Sequence, residues 1–360
     1  TTAAVPTRLS EPWCVAVGGK LSAPTIADGK VYVASTDQHT VHCLDADTGA
    51  PLWQFVADGR VDTPPTCHGS RVLFGTRSGS VYALDADQGQ LAWRFRAAPS
   101  DTRLVSHGQL ESAWPVNGTV FVQQDKAYVV AGRSTNLDGG LFACVLDVRS
   151  GEVLQTAQYQ ADIRKTGEVD GAVLSDILVG DTQRILIRDK QIDPADIALL
   201  ASSKEDTLLR TRSGGLLDAS WYNSAAWEYL QTRAQMLVFD ERVLVGLSAY
   251  RVQSQKSYPH DVLSVGDGYL LSAVSPIAGR DDGGKSAGKG KADKRAPSLQ
   301  SPWRRLWQTV IPVRVNAMIL ADRTLCVAGA PDIADPQDPW GAFEDRQGGV
   351  LMLISKEDGQ

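Results

Sequence analysis

The chain has 360 residues, 43% of them hydrophobic, with 36 basic and 42 acidic side chains and a formal net charge of −6. That charge is small for the length and no basic face stands out beyond the Lys285–Arg295 segment, so nucleic acid is not an expected partner. No run of eighteen apolar residues occurs, so no segment of the sequence spans a membrane as a helix, and the length suits one large all-β domain.

Residues 1–8 are small and polar and lack an initiator methionine, which points to a processed chain or an excised domain. From Trp13 the sequence repeats. Trp13, Trp53 and Trp93 stand forty residues apart. Thr25-Ile26-Ala27-Asp28-Gly29-Lys30-Val31-Tyr32-Val33 is answered by Thr66-Cys67-His68-Gly69-Ser70-Arg71-Val72-Leu73-Phe74, and Leu44-Asp45-Ala46-Asp47-Thr48-Gly49 by Leu84-Asp85-Ala86-Asp87-Gln88-Gly89. A period near forty with two turn signals per unit predicts a β-propeller. Within one repeat, Asp28-Gly29 is a two-residue hairpin signal. Val31 and Val33 then alternate with Tyr32 and Ala34 at strand period, Val41 to Leu44 gives a third strand, and Leu52 to Phe55 a fourth. Four short antiparallel strands make one blade. Trp13, Trp53, Trp93 and Trp307, on outer strands, are expected to wedge between neighbouring blades and lock them together, and Gly49, Gly89 and Gly151 end the turns that precede fourth strands.

Further copies of the inner hairpin follow at Val122–Val129, Ile177–Ile187, Met236–Val245 and Met318–Val327, making six readable units, with a weaker seventh signal around His260 to Ser272. Gln155 stands where the third copy should carry its tryptophan. The spacing grows along the chain, so later blades carry insertions. Residues 279–297 read as a flexible glycine- and lysine-rich loop, and Pro194 to Ser203 as a short helix. At the end, Val350 to Ile354 reads as a third strand followed by a turn at Ser355 to Gly359. Two readings of the ends follow: the Trp13 strand closes this last blade, or the parent protein continues, with six to eight blades in all.

Chemical motifs are sparse. Gly279-Arg280-Asp281-Asp282-Gly283-Gly284-Lys285-Ser286 satisfies the phosphate-loop pattern, but the glycine-rich residues after it cannot start the helix that such a loop requires. The Asp45/Asp47 and Asp85/Asp87 pairs are turn chemistry; each turn offers too few oxygens for calcium. His39, His42, His68, His107 and His260 have no zinc spacing, and no metal site is expected. Five cysteines form no C-x-x-C pair and fall mostly on strands, as small buried hydrophobes. The polar and aromatic residues that break the repeat are the ligand candidates, placed where loops converge on the channel: Glu111, Arg133, Asp138, Asp218, Trp221, Asn223 and Asp332. No residue is assigned a catalytic role.

The glycine turn followed four residues later by tryptophan, as in Gly49 to Trp53 and Gly89 to Trp93, resembles the PQQ-binding-like, quinoprotein dehydrogenase-like β-propeller repeat family. Segments Glu111–Trp114, Gly132–Gly140 and Asp218–Trp221 further resemble an exported bacterial subgroup of unassigned function. The resemblance implies an exported protein of the periplasm or cell envelope; the sequence itself leaves a cytoplasmic location open. Quinoprotein dehydrogenases of similar scaffold carry an adjacent cysteine pair and a calcium-bound quinone, and this chain has no Cys-Cys dipeptide. The expectation is therefore a non-catalytic binding or scaffold domain for a protein or small-molecule ligand, without a cofactor. The alternative is a PQQ- and calcium-dependent dehydrogenase or a degenerate relative of one.

Overall fold

A computed structural model describes residues 5, 13–106, 108–161, 173–180, 184–188, 190–202, 209–214, 224–229, 232–248, 268–276, 303–333, 335–342, 344 and 346–360. The chain forms two compact units, one running to Ser224 and the other from Ala225 to Gln360. The only helical element among the described residues is a short 3-10 turn at Thr36–Gln38.

In the first unit β1 (Thr25–Ala27), β2 (Lys30–Ser35), β3 (Thr40–Asp45) and β4 (Pro51–Val56) pair in sequence order as one antiparallel blade. Asp28 and Gly29 both have positive φ, 49° and 71°, as a tight hairpin turn demands, and Thr25 lies opposite Tyr32. β5 (Thr66–His68), β6 (Arg71–Gly75), β7 (Ser80–Asp85) and β8 (Leu91–Arg96) repeat this as the second blade. Before the third comes an extra two-stranded ribbon, β9 (Arg103–Ser106) with β10 (Gln109–Ser112). The third blade is β11 (Phe121–Gln123), β12 (Lys126–Ala131), β13 (Leu141–Asp147) and β14 (Val153–Tyr159). The fourth is β15 (Leu178–Gly180), β16 (Ile185–Ile187), β17 (Lys190–Ile192) and β18 (Leu199–Ser202), and β19 (Arg210–Gly214) follows it.

In the second unit β20 (Ser224–Tyr229) pairs β21 (Thr232–Ala234). The fifth blade is β22 (Met236–Phe239), β23 (Leu244–Ser248), β24 (Tyr269–Pro276) and β25 (Trp303–Ile311), and the sixth β26 (Val313–Leu320), β27 (Thr324–Pro331) and β28 (Val350–Ser355). All six inner hairpins read from the sequence are thus present as the first two strands of a blade. The signal near His260 to Ser272 is not a hairpin of its own: its described part belongs to β24, the third strand of the fifth blade. The glycine- and lysine-rich loop at 279–297, with its phosphate-loop pattern, lies outside the described residues.

Burial follows the blade logic. In β4 Trp53 and Phe55 turn inward while Leu52, Gln54 and Val56 face outward. The apolar cores lie between blades: Ala34 and Val41 of the first pack with Phe74, Tyr82 and Leu84 of the second. Phe74 and Tyr82 stack with centroids 5.3 Å apart, and Phe55 meets both edge-on. Trp93 enters the core shared by the second and third blades, and Tyr128, Leu141 and Tyr159 that of the third and fourth. Inner strands are also stitched by side chains. Thr25 donates to the Pro65 carbonyl and Thr66 to the Val120 carbonyl, each at 2.7 Å.

Each outer tryptophan seats on the glycine turn of the next blade. Trp53 donates its indole N–H to Ala86 at 3.1 Å, Trp93 to Val148 at 2.9 Å and Trp307 to Lys356 at 2.9 Å. Gly89 has φ +68°, and a Cβ placed on it would stand 2.5 Å from Trp53 Cδ2. Gly49, Gly151 and Gly359 meet Trp13, Trp93 and Trp307 in the same way. Glycine is needed there twice over, for the backbone conformation and for the approach of the ring. Asp45 holds its turn by accepting from the backbone of Asp47 and Thr48 and from the Thr48 hydroxyl. Trp13 donates to Ala46 at 3.0 Å but does so from residues 13–18, which form no strand where an outer strand was expected.

A further expectation is corrected: the described part of the Pro194 to Ser203 segment, residues 194–202, is not a helix. Asp193 to Ile197 makes the same five-residue turn as the glycine turns, with the Ile197 N–H donating to Asp193, and β18 follows. Proline and two aspartates read as a helix start, but the blade's demand for a fourth strand decides the segment. Ile197 takes the glycine's place at φ 53°, and Gln155, which replaces the tryptophan, donates to the Ala195 carbonyl at 2.6 Å. Here, where no indole sits on the turn, a Cβ is admitted.

Candidate functional site

In the first three blades the loop between second and third strands, and the connector that leaves the fourth strand, emerge at the same end of the sheet, as four antiparallel strands paired in sequence order require. Glu111 and Trp114 lie on such a connector, Arg133 and Asp138 on such a loop, and Asp332 on another in the second unit. Asp218, Trp221 and Asn223 lie outside the described residues.

Glu111 is the most deeply placed of them, 3% exposed. β10 carries it into a cluster of charge supplied by the first two blades. Its carboxylate stands 3.7 Å from Arg60 Nη1 and 3.7 Å from Arg77 Nη1. Asp62 lies 3.3 Å from Arg60 Nη2 and pairs with Arg77 Nε, and Asp37 is 3.2 Å from Arg60 Nε. Arg60 is itself buried, 7% exposed. Backbone bonds run in parallel: Arg77 N–H donates to the Arg60 carbonyl and Ser112 N–H to the Arg77 carbonyl, both at 2.9 Å. Gln109, two residues from Glu111 on the same face of β10, meets His39 Nε2 at 2.6 Å and the Asp37 carbonyl at 3.2 Å. The cluster is an electrostatic brace that fixes the β9–β10 ribbon to both blades.

Arg133 and Asp138 pair with each other across their own loop. The Trp114 indole donates to the Asp138 carbonyl at 2.8 Å and sets its ring edge-on to Phe142. Trp114 thereby ties the Glu111 segment to the Arg133–Asp138 loop, while Glu111 itself and the Arg133–Asp138 pair keep separate partners. Asp332 serves the second unit alone. Its carboxylate accepts from the Gly268 N–H at 2.8 Å, anchoring the start of β24.

Sequence reasoning missed Arg60, Asp62 and Arg77. The signal available was the charged run Asp58-Gly59-Arg60-Val61-Asp62 in the first connector, which reads as solvated loop until its burial is known. Asp58 heads a second cluster beside it, accepting from Thr76 at 3.0 Å and Ser80 at 2.9 Å and pairing with Arg94. Burial pushes this carboxyl up, but the hydroxyls of Ser78, Ser80 and Thr76 together with Arg94 outweigh it and hold it below the ordinary carboxylate value. A depressed folded-state pKa gives stability that is full above the unfolded value of about 3.9 and is lost as pH falls through the folded one. The stability difference between the native protein and Asp58→Asn is therefore expected to be large at neutral pH and to shrink in acid. Urea titrations at a series of pH values measure it; a pH-independent difference would count against the assignment.

Residues 7–225 match the family model described as outer membrane protein assembly factor BamB. Comparison with curated proteins finds no match. Among solved structures, BamB from Moraxella catarrhalis is 18% identical with a TM-score of 0.42, covering 66% of this chain and 70% of that one. Quinohemoprotein alcohol dehydrogenase from Comamonas testosteroni is 10% identical with a TM-score of 0.54 over 95% of this chain and 66% of that one. The computationally designed Ika8 protein is 12% identical with a TM-score of 0.51, over 95% and 85%. At these identities the structural likeness is one of fold. Matched over more than half its length by that model, and built of repeated blades joined through tryptophan and glycine, the chain belongs to the PQQ-like β-propeller family described by the outer membrane protein assembly factor BamB.

Proposed function

We propose that this chain is a non-catalytic β-propeller of the cell envelope that binds other proteins, and that the β9–β10 ribbon is the element it presents to them. The ribbon's two faces carry the reading. One face is pinned down by Gln109 and Glu111. On the other, Val105 and Leu110 lie directly opposite each other across the strands and are 74% and 64% exposed. Arg96, Asp101 and Arg103 form an ion network beside them. An apolar pair on a rigid support with a charged rim is the pattern of a protein contact. The brace keeps the ordering cost of the ribbon out of the binding step. Membership in a family described by an outer membrane assembly factor supports both the envelope location and a protein partner.

The test places a photoreactive side chain at Val105 or Leu110, with Val56, 67% exposed on an outer strand, as control. In the cells that make the protein, discrete adducts are expected from 105 and 110 and none from 56. Equal labelling at all three, or no adduct at the ribbon, would remove this reading. A melting-temperature rise on adding PQQ with calcium would favour the dehydrogenase alternative instead.

A further inference from the structure

The β9–β10 ribbon has one edge that the blades use and one that they leave open. Two residues separate β9 from β10, and Gly108 has φ +73°, so Ser106 and Gln109 are the hydrogen-bonded pair that closes a two-residue turn. Antiparallel pairs alternate. In Val105–Leu110 and Arg103–Ser112 the N–H and C=O groups therefore point away from the paired strand. Bonds outside the ribbon agree: Ser112 turns its N–H to the Arg77 carbonyl, and Ala113, one step on, turns its N–H back to the Thr102 carbonyl, both at 2.9 Å. The edge of β10 is thus fastened to the blades. The ribbon is a sheet of two strands, and β9 pairs with no other strand among the described residues.

The outward backbone groups of β9 belong to Val105 and Arg103, whose side chains share the free face with Leu110. Folded proteins blunt an open edge with proline, a bulge or a charge at its centre. β9 pairs without a bulge and carries Val105, 74% exposed, at that place. Beside it Arg96 and Arg103 share the single carboxylate of Asp101, at 3.0 and 3.3 Å, which leaves one positive charge in excess. Resting on the reading of the ribbon as a protein contact, we infer that its partner adds an extended segment to β9 as a third strand. The segment runs antiparallel, the more stable pairing, with an apolar side chain beside Val105 and an acidic one two residues on, beside Arg103. Main-chain bonds to Val105 and Arg103 hold it, and the alternation of its side chains decides which of them meet Leu110.

The full chain is titrated with a fluorescein-labelled heptapeptide that alternates threonine with valine, glutamate replacing the valine after the central one. Anisotropy is expected to report saturable binding. Methylating the amide nitrogen of the central valine removes its bond to the Val105 carbonyl and should weaken binding about tenfold, whereas methylating the next amide, which points away, should be tolerated. Replacing the glutamate by lysine should weaken binding about threefold at low salt. Val105→Pro lacks the outward N–H but keeps the pairing with β10, and should cost about tenfold at an unchanged melting temperature. Equal binding of the two methylated peptides, or of the glutamate and lysine forms, or none by the native chain, would overturn the assignment. So would a native dimer that Val105→Pro converts to monomer, since a second copy would then hold the edge. The peptide arms need no variant to fold. Failure here alongside discrete in-cell adducts at Val105 and Leu110 removes strand addition alone; absence of those adducts removes the protein contact itself.

Discussion

Gly89→Ala is expected to destabilise the first unit by about 2–5 kcal/mol, far more than a glycine-to-alanine change in an open turn. Two costs add. An L-residue in the left-handed region costs about 1–2 kcal/mol. The new methyl would also stand 2.5 Å from the Trp53 ring, and such overpacking adds roughly 1–3 kcal/mol. Gly69→Ala separates the terms, because Gly69 has φ +54° but nothing within 4 Å of the added Cβ. It should show the backbone cost alone. Trp53→Ala, which empties the wedge, should cost about 3–5 kcal/mol. In Trp53→Ala the Gly89→Ala change should lose its steric part, since the ring it strikes is absent. Urea unfolding of the three single variants and the double variant tests the scheme. Equal costs for Gly69→Ala and Gly89→Ala would mean that the turn needs glycine for its backbone only.

Arg60→Met is the second large effect, and the sign of the charge balance decides it. The cluster holds Arg60 and Arg77 against Asp37, Asp62 and Glu111, so the carboxylates outnumber the guanidiniums by one. Removing Arg60 leaves Glu111, 3% exposed, with Arg77 as its remaining partner in the cluster. Breaking a buried pair in this way costs about 3–5 kcal/mol, because a charge is left in a poor solvent. Glu111→Gln leaves two guanidiniums facing two aspartates and should cost much less. The double variant should then recover part of the Arg60→Met loss, a coupling that a double-mutant cycle reads directly. Hydrogen exchange at Ser112, whose N–H is bonded to the Arg77 carbonyl, should speed up in Arg60→Met if the cluster braces the ribbon. Unchanged protection there would separate the cluster from the ribbon and weaken the proposed presentation of Val105 and Leu110.

The candidate site was half legible. Glu111, Arg133 and Asp138 could be nominated because they interrupt a repeat, and interruption is visible in one dimension. Their partners could not. Arg60 sits in a connector and Arg77 in a loop that look like any charged turn, and only the burial of Arg60 and Glu111 turns the group from solvated side chains into a brace. Nor could the sequence reveal that Asp332 is spent on the backbone N–H of Gly268, just before β24, since Gly268 is sixty-four residues away along the chain.

The repeat itself was determined by the sequence alone. Blade geometry is local: hairpin turns, period-two alternation and a tryptophan four residues after a glycine are short-range patterns, each written within one unit. What only the tertiary structure decided lies between units of the repeat. Gln155 and Ile197 look like unrelated decay until the fold sets them on facing sides of one junction, where loss of the indole is what permits a Cβ in the turn. The same holds for the Pro194 to Ser203 segment, whose local propensity favours a helix and whose neighbours impose a strand. Packing against an adjacent blade involves residues forty or more positions apart, and no local rule carries that information.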